Sequence, residues 1–183
     1  MATVKKSQGF TLIEVLIASA VSLISLGVIC TAYYVGMETF RFNQKRMGAI
    51  NTLCLSTDRI KKEIRKGEKF ISSDNLSFYD FITSLPDPDN SLIFASSDTT
   101  AIAFYFEKDG NGQFHLYKKV SDPGSESKVI ISFDPGVEVK PEFSNISDSS
   151  VQINLTAEWI YRGKTKKTGE ISSIVTLRNW NRQ

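Results

Sequence analysis

Histidine is almost missing from this chain of 183 residues: His115 is the single one. Metal centres built on two or more imidazoles are thereby excluded, and histidine chemistry reduces to one lone base. Cysteine occurs only as Cys30 and Cys54, so no thiol follows residue 54 to serve as a nucleophile beside His115. Proline is absent before Pro86, so nothing in the first part of the chain forbids a long helix. Net charge is only +2, too little by itself to argue for a nucleic-acid or membrane-surface partner. Within residues 10–37 charge is lacking altogether apart from Glu14.

That run is the most informative stretch. At ~1.5 Å per residue it crosses the ~30 Å hydrocarbon of a bilayer with length to spare. A carboxylate at a bilayer centre costs ~2.5–3.5 kcal/mol on insertion scales and less near an end, so Glu14 is expected to meet a partner. A secretory signal peptide is the wrong match, because its apolar core of roughly 7–15 residues is about half this length. A plain single-pass anchor is the stronger rival. Lys5 and Lys6 on one side face Arg41, Lys45 and Arg46 on the other, so charge bias leaves the orientation open.

Beyond Met37 the helix is expected to continue to Lys66, with Gly67 closing it. Phe40, Met47, Ile50 and Cys54, then Leu53, Thr57, Ile60 and Ile64, recur at three- and four-residue steps and predict one apolar stripe. Asp58 with Lys62 and Arg59 with Glu63 are spaced to pair on the wet face. Cys30 and Cys54 would then lie some ~36 Å apart on one helix, beyond disulfide reach, and both read as small hydrophobes. A bridge between chains is the lesser reading.

Residues 68–100 read as a connecting region, with a short helix or a loop over 76–82 and turn chemistry from Pro86 to Ser91. Strands follow. Residues 101–107 and 113–120 flank Asp109-Gly110-Asn111-Gly112, a strong hairpin signal. Residues 128–133 and 137–143 form a second hairpin-like pair around Asp134-Pro135-Gly136. The longest strand is 151–161, with Val151, Ile153, Leu155, Ala157, Trp159 and Tyr161 on one face. A return strand is expected over 170–179. The fold class is α+β: a long N-terminal helix, half membrane and half amphipathic, packed on an antiparallel sheet.

Gly9-Phe10-Thr11-Leu12-Ile13-Glu14, behind a short leader with Lys5 and Lys6, resembles the N-terminal signal of type IV pilins and pseudopilins. The resemblance implies cleavage by a prepilin peptidase between Gly9 and Phe10 and N-methylation of Phe10. It also implies that Glu14 neutralises the α-amino group of a neighbouring subunit as helices pack into a filament. The expected organisation is a leader over 1–9, a membrane and filament-core helix over 10–37, its amphipathic half over 38–67, and a globular domain over 68–183. Many pilins carry a C-terminal disulfide, which this chain lacks. Major pilins often have a proline in the membrane helix; here only Gly27 and Gly36 offer a weak point. Residues 174–179 are similar to the last strand of minor pilins and of the J-type pseudopilins of type II secretion.

The expected role is therefore a minor pilin, a structural subunit and not an enzyme, with no cofactor. Its alternative is a pseudopilin of a secretion or DNA-uptake system. Implied partners are sister pilins, the prepilin peptidase, an assembly platform in the cytoplasmic membrane, and the membrane itself before assembly. The C-terminal part is expected outside the cell membrane. Two further features carry weaker readings. Asp109-Gly110-Asn111-Gly112 looks like half of a calcium loop, but a bare hairpin turn is preferred and no metal is assigned. Arg162, Lys164, Lys166 and Lys167, near Trp159, Tyr161 and Trp180, have the composition of a DNA contact, although a solvated hairpin tip has the same composition.

Overall fold

The computed structural model describes residues 10–71, 78–97, 99–122, 124–147, 149–161 and 164–177, with backbone only for 160–161 and 164–168. The chain divides into two compact units, Met1–Gln44 and Lys45–Gln183. Helix α1 (Leu12–Ile64) runs through Gly27 and Gly36 without interruption, as the missing proline allows. Over residues 12–37 its side chains are exposed, and the helix is long and apolar enough to cross a membrane.

In the second unit the helix buries Ala49, Leu53, Ser56, Thr57, Ile60 and Ile64. This stripe is only partly the expected one. Leu53, Thr57, Ile60 and Ile64 are on it, whereas Phe40, Met47 and Cys54 are exposed. The reason is angular: residue 54 sits about 100° around the helix from residue 53, and steps of seven from 40 to 47 to 54 follow a different line. The two buried hydroxyls cost little, because Ser56 donates to the Thr52 carbonyl at 2.8 Å and Thr57 to that of Leu53 at 2.9 Å. Hydrogen bonds from Lys66 N–H to the Glu63 carbonyl and from Gly67 N–H to that of Ile64 tighten the last turn. A Cβ at Gly67 would stand 2.6 Å from Phe94 Cδ2, so only glycine fits this exit.

Two antiparallel sheets receive the helix. The first has the order β1 (Lys69–Phe70), β2 (Leu92–Ala95), β3 (Ala101–Lys108), β4 (Phe114–Val120), β5 (Lys128–Ser132). The second is β6 (Val137–Ser147), β7 (Ser150–Tyr161), β8 (Lys164–Thr176). One core joins Ala49, Leu53, Ile60 and Ile64 of α1 to Phe94, Phe104 and Leu116 of the first sheet and Val151, Ile153 and Leu155 of the second. The far face of the first sheet is covered by helix α2 (Tyr79–Thr83), which buries Ile82 against Ile93, Ala103 and Tyr105. β2 is therefore buried on both faces. That makes Leu92-Ile93-Phe94-Ala95 an apolar run without alternation, and explains why this strand is hidden inside a stretch that reads as a connection.

The hairpin joining β3 to β4 forms as expected, with Glu107 opposite His115. The second expected hairpin does not. β5 pairs with β4 and β6 with β7, so Asp134-Pro135-Gly136 carries the chain from one sheet to the other. Phe133, fully buried, anchors the crossing, and Gly136 supplies the positive φ of +81°. The return strand is also longer than expected. β8 begins at Lys164, opposite Tyr161, and absorbs residues that read as a hairpin tip. At Gly169 a Cβ would lie 2.9 Å from Ile50 Cγ1, so this strand approaches the helix closely.

The ion pairs at the end of α1 differ from the expected ones. Lys61 pairs loosely with Asp58 at 3.9 Å. Glu63 takes Lys66 of its own helix and Lys118 of β4, both at 2.8 Å. The second of these clips the helix end to the sheet.

Candidate functional site

The start of α1 is built by local hydrogen bonding. Thr11 precedes the first helical residue, and Glu14 is the third residue of the helix. Thr11 N–H and Thr11 Oγ1 both donate to Glu14 Oε2 at 2.8 Å, while Glu14 N–H reaches Thr11 Oγ1 at 3.4 Å. This reciprocal pattern is a capping box, in which a Thr and a Glu three residues apart satisfy each other's backbone donors. A negative charge in the first turn also suits the helix dipole. The Thr-x-x-Glu spacing was visible in the sequence, but a lone acid in an apolar run draws attention to partners outside the chain.

Both bonds fall on Oε2. Among the described residues Oε1 has no donor. Cleavage between residues 9 and 10 would leave the box intact, because Thr11 N–H belongs to the peptide bond after Phe10. Phe10 is 87% exposed. Gly9 lies outside the described residues.

The serine and threonine hydroxyls along the apolar run and just beyond it are satisfied within the helix. Ser19, Ser22, Ser25, Thr31 and Thr39 each donate to a carbonyl one turn back, at 2.7–2.9 Å. Such bonds let hydroxyls sit in hydrocarbon without an unmet donor. Glu14 is the one charged side chain in the run.

The glycine-rich turn after β3 organises a second polar cluster. Asp109 Oδ1 accepts the N–H groups of Asn111 at 2.9 Å and Gln113 at 2.8 Å, and Oδ2 lies 3.2 Å from His115 Nε2. His115 Nδ1 in turn is 2.9 Å from Ser132 Oγ on β5. The Gln113 N–H, with help from His115 and Asn111 and against the effect of burial, holds the Asp109 carboxyl below its usual range. Both oxygens of Asp109 are thus engaged by the turn and the histidine. Among the described residues there is no cluster of three or more metal-ligating side chains. The turn behaves as a hairpin turn, tied to β5 through an Asp–His–Ser chain that sequence spacing did not suggest, because Ser132 is 17 residues from His115.

Of the basic candidates, Arg162 lies outside the described residues. The backbones of Lys164, Lys166 and Lys167 are in β8, opposite Tyr161, Trp159 and Glu158. They belong to a paired strand and not to a free loop tip. The Trp159 ring is met by Lys45, whose Nζ stands 5.1 Å from the ring centre.

Residues 4–29 match the family of the prokaryotic N-terminal methylation motif. No curated protein and no solved structure matches the chain. The matched segment spans the leader lysines, Gly9, Phe10, Glu14 and most of the apolar run, and fits the type IV pilin and pseudopilin kind of prepilin-peptidase substrate.

Proposed function

We propose that this chain is a minor pilin, a structural subunit of a type IV pilus or related filament. The observation that carries this reading is Glu14: an acid in the first turn of a membrane-length helix, directly after a methylation-type leader, with one carboxylate oxygen that takes no hydrogen bond from the described residues. Prepilin peptidase cuts between Gly9 and Phe10, and the new Phe10 amine is methylated. It then meets Glu14 of a neighbouring subunit. In low dielectric these opposite charges attract strongly, and each is costly alone, so the pair both drives and registers helix packing. The pseudopilin reading shares every step of this chemistry and differs in the apparatus around it.

Before assembly the chain is held in the cytoplasmic membrane by α1, with residues 68–183 outside. Its partners are sister pilins, the peptidase and the assembly platform. DNA contact through Arg162, Lys164, Lys166 and Lys167 is a lesser reading, because three of the four belong to a paired strand. The test is filament content. Sheared filaments from cells carrying Glu14→Ala should contain far less of this chain, while membranes retain it. Equal incorporation of the variant would remove the assembly role.

A further inference from the structure

We infer that the outer edge of β8 takes an extended strand from a different protein, added to the second sheet through backbone hydrogen bonds. The two sheets have edge strands β1 and β5, and β6 and β8. Left open, such an edge is a template for pairing with another chain, and folds blunt it by shortness, bulges, proline or charge. Three of the four are blunted. β1 is two residues long. β5 opens on Lys128, and a register shift interrupts its pairing with β4. β6 carries Pro141 between Lys140 and Glu142. In β8 the stretch Ile171-Ser172-Ser173-Ile174-Val175-Thr176 has no charge, no proline and no register shift.

Which groups face outward follows from one bond. Leu177 N–H donates to the Ser149 carbonyl at 2.8 Å, so residue 177 commits its N–H to the β7 side. In an antiparallel ladder such residues alternate with residues whose backbone groups point away. Val175, Ser173 and Ile171 therefore bond to β7, while Thr176, Ile174 and Ser172 turn N–H and C=O outward. The same alternation, carried across β7, puts Pro141 on the outward set of β6, where a missing N–H costs no ladder bond. The β6 edge thus lacks a donor at its middle, and the β8 edge lacks none. Ser172, Ile174 and Thr176 are exposed, and among the described residues β7 is the one strand paired with β8. Ile174 is 64% exposed, in one row with the uncharged Gln152 and Ser144.

The occupant follows from these groups. N–H and C=O groups repeating about every 6.8 Å along a line are met in full by another extended backbone. A second copy is a poor match. Antiparallel pairing of two β8 edges sets a two-fold axis normal to the sheet, which reverses the α1 segment packed on it. Two chains held by α1 in one membrane do not meet in that way. Parallel pairing brings Lys164, Lys166 and Lys167 of the two strands into register, where like charges repel. A strand from a different protein has neither constraint, and antiparallel addition is the more stable per residue. That strand is uncharged along Ser172 to Thr176, apolar against Ile174, and acidic further on, beside the positions of Lys166 and Lys167. The exclusion of a copy rests on the membrane span; the open edge rests on neither that nor the pilin reading.

The test is residue-resolved hydrogen exchange on the full-length chain in detergent, with the synthetic peptide VTVTVTTTDED as probe. In the chain alone, the amides of Ser172, Ile174 and Thr176 should exchange rapidly and those of Ser173 and Val175 slowly. The peptide should slow the first three several-fold and leave the amides of Val139 and Phe143 on β6 unchanged. The same peptide N-methylated at its valines should have no effect. Ile174→Pro removes one outward N–H and should weaken the protection, with slow exchange at Val175 showing that β8 stays paired to β7. If that variant unfolds, the N-methylated peptide carries the test. The inference is overturned if the three amides are already slow in the dilute chain, if the peptide leaves them fast, or if the N-methylated peptide protects as well. It is also overturned if they become slow when the chain alone is concentrated, since the occupant would then be a second copy.

Discussion

At the scale of single residues, Glu14 has one duty seen in the structure, the helix cap, and one proposed, the assembly contact, and their separation is testable. As the third residue of the helix it closes the capping box with Thr11; as a charge it is available to an amine. Glu14→Gln keeps a side chain that accepts from Thr11 but removes the charge, whereas Glu14→Ala removes both. If charge pairing directs assembly, both variants should fall out of sheared filaments to a similar degree. Recovery of incorporation by Glu14→Gln alone would assign the defect to the cap. Asp109 gives a second residue-scale prediction. Its folded carboxyl titrates below the unfolded value of roughly 3.9, so the stabilisation is present above that value and lost as pH falls through the folded one. In thermal unfolding of the full-length chain in detergent, the gap between wild type and Asp109→Ala should be constant near neutrality and close below about pH 4. A gap unchanged down to pH 3 would contradict the assignment.

At the scale of elements, the helix was the most legible part of the sequence, and its partners the least. The absence of proline and the apolar run gave its existence and length, and Gly67 its end. The direction of its buried stripe was blurred because two three-and-four series overlap between residues 47 and 57, one buried and one exposed at Met47 and Cys54 but half-buried at Ile50. β2 escaped notice because burial on both faces erases the alternation that marks a strand. The separation of β5 from β6 escaped because Asp134-Pro135-Gly136 has hairpin chemistry whichever sheet follows it. The Thr11–Glu14 box was written in the sequence, yet the Asp109–His115–Ser132 chain was not, since only strand pairing brings β5 to β4. Close packing gives the quantitative tests. Gly67→Ala forces a methyl against buried Phe94 and should cost about 1–3 kcal/mol. Gly48→Ala meets only the movable carboxylate Oδ2 of Asp134, at 2.9 Å, and should cost less. Leu53→Ala opens a cavity between helix and sheets and should cost about 2–5 kcal/mol. Denaturant unfolding that ranked Gly48→Ala as the most damaging of the three would reject this packing.

At the scale of the whole molecule, one chain combines a membrane-length helix, a methylation-type leader and a second unit in which the helix end is sealed against two sheets. Folding of the second unit and function of the first are therefore expected to respond to different substitutions. Core changes at Leu53 or Gly67 should lower stability without altering leader removal, while a change at Gly9 should leave the precursor folded, membrane-bound and uncut. The mass of the N-terminal peptide of the chain recovered from filaments tests the account most directly. The expected peptide begins at Phe10 and is one methyl group heavier than its sequence. A peptide that still begins at Met1 and retains the leader would contradict it.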